Sequence, residues 1–162
     1  GAHITCVDGA PEALKWCKHF NIGSRWEKRD FKKDMLPSTP EGFDAIYASE
    51  VLHYLERPKP FIRNAIAHLK PGGIFAFTAA LTKQSKNAVV GYYPGEDNPE
   101  YKPQIPITTY SEQAIIEAIE NTQALILSRT PNTFINDTNR QHFLSKYQSQ
   151  NEIVLVQKPT HE

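Results

Sequence analysis

The sequence predicts an α/β fold built on a mostly parallel sheet covered on both faces. Three observations predict it. Short apolar, β-branched runs alternate with stretches whose apolar residues recur at helical spacing. The first run lies in "HITCVDGAPEAL" (His3 to Leu14). It ends in an acid and a small-residue turn before a proline-led helical pattern, as a strand-to-helix junction does. The chain of 162 residues is long enough to bury a real core in one domain, 1–162.

Each element has its own reason. Ile4–Val7 reads as a buried strand. Pro11 then suits a first helical turn, Leu14, Cys17 and Phe20 form a stripe, and Asn21 with Gly23 ends it. Arg25–Arg29 fits a short edge strand, and Met35–Gly42, with two prolines, a loop. Phe43–Ala48 is a second buried strand. Phe61, Ile62, Ala65, Ile66 and Leu69 follow at helical spacing, Lys70–Gly73 closes that helix, and Ile74–Ala79 is the third strand. Lys83–Pro106 is long and polar, the form of a lid or substrate loop. Thr109 and Glu112 offer a capping box for a helix marked by Ile115, Ile116 and Ile119. Ala124–Thr130 and Glu152–Lys158 are strands around a polar segment. With no clear helix between them, an antiparallel last strand is expected.

Composition excludes several classes. Eighteen basic and eighteen acidic side chains cancel, so no electrostatic attraction to nucleic acid or an acidic membrane surface is expected. Two cysteines, Cys6 and Cys17, make no disulfide framework, and no CxxC or HxxxH pattern suggests a metal. No apolar run is long enough to cross a bilayer. A soluble, reducing, cytoplasmic setting is the default expectation.

Four stretches in order carry a family resemblance: "ITCVDGAPEAL", "RDFKKDMLP", "FDAIYASEVLHYLERP" and "AHLKPGGIFAFT". The chain resembles a class I S-adenosylmethionine-dependent methyltransferase of the small-molecule type. The resemblance covers Ile4 to Thr78 and extends more loosely to the last two strands. It implies a Rossmann-like sheet with S-adenosylmethionine as cofactor. It also implies that the chain lacks the family's first strand, glycine-rich turn and first helix. In that family the strand lies between those represented here by Ile4–Val7 and Phe43–Ala48. Self-association of such a chain is therefore expected, because buried ladder groups need partners, and so are impaired methyl transfer and weak or undetectable cofactor affinity, because the turn that wraps the cofactor's methionine end is missing.

The resemblance and the residue chemistry together name the site. Asp8, at a strand end, can accept two hydrogen bonds from a ribose diol, or can cap the helix after it. Gly9 and Ala10 form the adjoining turn on the cofactor. Asp30 can accept from the adenine amino group while Phe31 packs on the purine. The alternative is a solvated acid beside Lys32 and Lys33, with Phe31 in the core. Ala48 and Ser49 leave room at a strand's carboxyl end. Glu50 can orient the substrate or the cofactor's ammonium, or cap the turn through His53. His53 is the general-base candidate, since its ordinary pKa lies near neutrality, or else a packed, hydrogen-bonded histidine. Tyr54, Tyr92 and Tyr93 are substrate-pocket candidates, and Trp16 and Trp26 are read as packing residues.

Methyl transfer from a sulfonium needs alignment and desolvation more than a catalytic cluster, so the lack of a triad or metal site is no objection. Two alternatives remain. A nicotinamide-dependent oxidoreductase shares the alternation and the ribose acid, but neither GxGxxG nor Tyr-x-x-x-Lys is present. A non-catalytic, associating fragment is the other.

Overall fold

The computed structural model describes residues 1–83, 88–92, 106–132 and 149–160. They fall into two compact units, Gly1–Pro40 and Glu41–Glu162.

In the first unit, β1 (Thr5–Asp8), α1 (Pro11–His19) and β2 (Arg25–Lys28) form a strand–helix–strand motif. β1 and β2 pair in parallel, with Thr5 opposite Arg25 and Asp8 opposite Lys28. Pro11 opens α1, where its missing N–H costs nothing. Glu12 in the first turn and Lys18 and His19 in the last match the helix dipole. Within α1 only Leu14 is buried. Trp16 and Phe20 are each 62% exposed, their rings stacked 5.7 Å apart. Trp16 is therefore not the packing residue expected, because a short helix over a two-stranded sheet has a single line to bury. Trp26 is half-buried, and its indole N–H donates to the Ile22 carbonyl at 2.8 Å. The expected Asp8 cap is corrected too. The N-cap is Ala10, and Asp8 instead accepts the Ala10 N–H at 2.7 Å.

The second unit is organised by one long strand. β3 (Phe43–Ala48) is followed by a 3-10 turn (Leu52–Tyr54), α2 (Pro58–Ala67) and β4 (Leu69–Thr82). β5 (Ala88–Tyr92), β6 (Pro106–Ser111), α3 (Glu112–Glu120), β7 (Leu125–Pro131) and β8 (Ser149–Gln157) complete it. β3 runs parallel to β4, with Ile46 opposite Phe75 and Ala48 opposite Phe77. β6 joins the carboxyl end of β4, also in parallel, at Leu81–Tyr110 and Thr82–Ser111. β8 runs antiparallel to β4 and to β7, as expected for the last strand. Alternation along β4 separates two faces. Phe75 and Phe77 stand opposite Val156 and Val154, and all four are buried. Ile62, Ala65 and Ile66 of α2 and Ile115, Ala118 and Ile119 of α3 complete the apolar core. The other face of β4 carries Thr78, Ala80 and Thr82, small and also buried.

Three expectations change in this unit. β4 starts at Leu69, because Lys158 donates to the Gly73 carbonyl at 3.0 Å and Gly72 to the Lys158 carbonyl at 3.1 Å. The expected turn is thereby drawn into the sheet. The cap of α3 is Ser111, whose hydroxyl accepts from the Ala114 N–H at 3.2 Å. Thr109 is fully buried in β6 instead, since pairing with β4 keeps the chain extended to Ser111. The expected loop 83–106 contains β5, which pairs antiparallel with β6. β1 also does not share a sheet with β3: it pairs with β2 in a separate two-stranded sheet.

Candidate functional site

The carboxyl end of the β1–β2 pair carries the acids singled out in the first unit. Arg29 N–H donates to the Asp8 carbonyl at 3.1 Å, so the chain leaving β2 crosses directly beside Asp8. A Cβ on Gly9 would stand 3.3 Å from the Arg29 carbonyl, so the turn after β1 lies close against that crossing. Asp8 Oδ1 is held by the Ala10 N–H, which orients the carboxylate. Asp30 differs. Its Oδ1 accepts from the Lys32 N–H at 3.1 Å, and its Oδ2 lies 3.6 Å from Lys33 Nζ. Both oxygens are engaged by its own loop. Asp8 and Asp30 thus share one edge of this unit, and Asp8 is the better placed to receive an outside donor. Phe31 beside them is half-buried.

In the second unit the carboxyl ends of β3 and β4 hold a polar cluster. Glu50 follows Ala48 and Ser49 and takes a left-handed backbone, φ +58°. That conformation is strained for a side-chain-bearing residue and needs support. Thr78 on β4 supplies it. Glu50 N–H donates to Thr78 Oγ1 at 2.8 Å, and the Thr78 hydroxyl donates to Glu50 Oε1 at 3.1 Å. Asn151 Nδ2 on β8 reaches the same Oε1 at 3.5 Å. The other oxygen, Oε2, lies 3.8 Å from His53 Nδ1. His53 is 3% exposed, and its ring stands 4.1 Å from that of Tyr54, which is 42% exposed. The histidine is packed beside a carboxylate, with the tyrosine on its outer side.

The turn that carries His53 is anchored from below. Tyr110 on β6 is completely buried, and its hydroxyl donates to the carbonyls of Leu52 and Leu55. These carbonyls flank His53. Burial pushes the Tyr110 phenol far above its ordinary value, so it remains a neutral donor.

Residues 1–77 match the model of a family described as a methyltransferase domain. Over those residues, and in its fold, this chain is similar to the class I methyltransferases. Among curated proteins, the Ubiquinone biosynthesis O-methyltransferase of Xylella fastidiosa is 37% identical over 78 residues. That match takes in 45% of this chain and 31% of the relative, so this chain matches about a third of that relative's length. Among solved structures, the O-methyltransferase from a trans-AT PKS multienzyme of Brevibacillus brevis, in complex with S-adenosyl-L-homocysteine, is similar with a TM-score of 0.74. It is 12% identical over 97% of this chain and 59% of that one. The [4+2]-cyclase SpnF is similar with a TM-score of 0.65, at 16% identity over 98% of this chain and 67% of that one. Both likenesses speak to the fold, and the presence of a cyclase among them shows that this fold does not by itself fix the chemistry.

The sequence pointed to Ala48, Ser49, Glu50, His53 and Tyr54, and the structure places them at and just after the carboxyl end of β3. Asp8, Gly9, Ala10, Asp30 and Phe31 gather at the edge of the other unit. Tyr92 ends β5, and Tyr93 lies outside the described residues. Thr78, Tyr110 and Asn151 were missed. Thr78 reads as one more residue of an apolar strand, and Asn151 is 101 positions from Glu50. Among the described residues no group of three or more His, Cys, Asp or Glu is placed to hold a metal ion. Among them, too, no helix is long and apolar enough to cross a membrane.

Proposed function

We propose that this chain transfers a methyl group from S-adenosylmethionine to a hydroxyl of a small-molecule acceptor. The observation that carries this reading is the cluster of Glu50, His53, Thr78 and Asn151 at the carboxyl ends of β3 and β4, where open α/β sheets bind their ligands. The match of residues 1–77 to a methyltransferase domain supports this reading, and the O-methyltransferase names of the relatives favour a hydroxyl acceptor.

In each unit, taken by itself, the residue chemistry suits this cofactor. Asp8 offers an oriented carboxylate for a ribose diol, and Gly9 and Ala10 keep the turn beside it small. Asp30 and Phe31 lie at the same edge for the adenine, with Asp30 contributing less because its loop already engages it. Ala48 and Ser49 leave room for the sulfonium end. Bound S-adenosylmethionine brings a methyl group already activated for in-line displacement. The chain's own task is to hold the acceptor and receive its proton. Glu50 Oε2 lies 3.8 Å from His53 Nδ1, and His53 is the group proposed to take the proton from the hydroxyl as the methyl bond forms. Tyr54 is proposed to line the acceptor's side.

Calorimetry with S-adenosylhomocysteine and with NADH separates this reading from the oxidoreductase alternative: the first should bind and the second should not. Transfer of tritiated methyl to a panel of phenols then tests the reaction, and His53→Gln should lower it about 100-fold or more. NADH binding without S-adenosylhomocysteine binding would refute the reading. Self-association is part of the same proposal. Among the described residues β3 pairs with β4 alone, and its Tyr47 is 69% exposed. Light scattering should report an oligomer, and a clean monomer would end that part.

A further inference from the structure

Asn151 has a feature that holding Glu50 does not explain. It is 4% exposed, and its Oδ1 is buried with no hydrogen-bond partner among the described residues. Its Nδ2 is committed to Glu50 Oε1. A reversed amide would set oxygen against carboxylate, so the charge of Glu50 dictates which atom faces it. The atom left over is an acceptor that calls for a donor. Buried acceptors are seldom left unmet in folded chains, because nothing repays their lost hydration. The neighbouring side chains across the ladder are small. Across the ladder from Asn151 stands Ala80, only a methyl, on the same small-residue face as Thr78 and Thr82. The aromatic core, Phe75 and Phe77, lies on the opposite face of β4.

We propose that Asn151 Oδ1 receives a hydrogen bond from the O–H of the molecule to be methylated. This rests on reading the cluster as a methyl-transfer site. The bond is a docking contact, made as the hydroxyl enters. During transfer the oxygen gains the methyl, its proton passes to His53, and the sulfonium leaves as a neutral thioether. The methylated oxygen has no hydrogen left to offer Oδ1. Asn151 therefore distinguishes acceptor from product and favours product release.

Phenol and anisole share a ring and differ at this one group, so they are the probes. Both are titrated into the whole chain, with and without S-adenosylhomocysteine. Affinity and the Asn151 side-chain amide resonance are followed, the latter identified by its loss in Asn151→Asp. Wild type should bind phenol about tenfold more tightly than anisole, one hydrogen bond's worth. In Asn151→Leu that ratio should fall to about one, since the acceptor goes with the side chain. Asn151→Ala serves if the leucine variant does not fold. Equal binding of phenol and anisole by wild type would overturn the proposal, as would a preference that survives both substitutions. So would an amide resonance that S-adenosylhomocysteine alone shifts fully, which would assign the atom to the cofactor's ammonium. A phenol preference without any S-adenosylhomocysteine binding would instead refute the methyl-transfer reading and leave Asn151 as a hydroxyl-docking residue.

Discussion

Removing one oxygen from the core should loosen the turn that carries His53. In wild type the Tyr110 hydroxyl serves the carbonyls of Leu52 and Leu55. Leu52 keeps a second partner, the Leu55 N–H at 2.8 Å. The Leu55 carbonyl has no such alternative among the bonds described, and Leu55 itself is 4% exposed. Tyr110→Phe therefore leaves about one buried acceptor unmet, a cost of about 1–3 kcal/mol. The phenylalanine ring fills almost the same space, so no cavity adds to this. At about 2–4 °C per kcal/mol for a chain of this size, the melting midpoint should fall by roughly 2–12 °C. Urea titration measures the loss, and amide exchange locates it, with faster exchange expected at Leu55 than in α3. A loss under about 0.5 kcal/mol, or exchange raised evenly across the chain, would refute the anchoring role.

Four further outcomes are expected. The raised Tyr110 phenol means that the folded chain holds this proton at pH values where the unfolded chain has lost it. Its contribution is complete below the unfolded value of about 10 and is lost as pH rises beyond it, so urea midpoints should fall above roughly pH 10, more steeply in wild type than in Tyr110→Phe. Glu50→Ala should be less stable than Glu50→Gly by about 1 kcal/mol, because alanine at φ +58° is strained and glycine is not; equal stabilities by calorimetry would remove the strain argument. Gly42→Ala should cost about 1–3 kcal/mol, since Gly42 has φ +83° and an added Cβ would lie 3.0 Å from the His68 carbonyl and the Lys70 nitrogen; an unchanged urea midpoint would contradict this. Asp8→Ala should weaken S-adenosylhomocysteine binding by roughly 5- to 150-fold, while Asp30→Ala changes it about threefold or less, because the Asp30 oxygens are already engaged; calorimetry showing the reverse order would exchange their roles.

Local pattern carried much of this protein. Strand and helix identity from β1 through β4 followed from apolar periodicity, because side-chain direction in each element depends on neighbours close in sequence. The clustering of Ala48, Ser49, Glu50, His53 and Tyr54 was legible for the same reason: one strand end and one turn hold them all. Where pairing between distant segments decided the outcome, sequence was silent. Thr109 looked like a cap until β4 drew Tyr110 and Ser111 into its ladder. The loop expected over 83–106 contains β5, whose partner β6 begins at Pro106. Trp16 is exposed because no element of its own unit covers that side of α1, and no helical stripe can report that. The polar cluster shows the division most clearly. The sequence by itself determined that an acid and a histidine follow β3. Only the tertiary structure decided that a threonine from β4 supports the strained Glu50 backbone, that an asparagine from β8 shares its carboxylate, and that a tyrosine from β6 holds the turn beneath. Those contacts span 28, 101, 58 and 55 positions. Each depends on sheet register, which long-range hydrogen bonding and core packing set together.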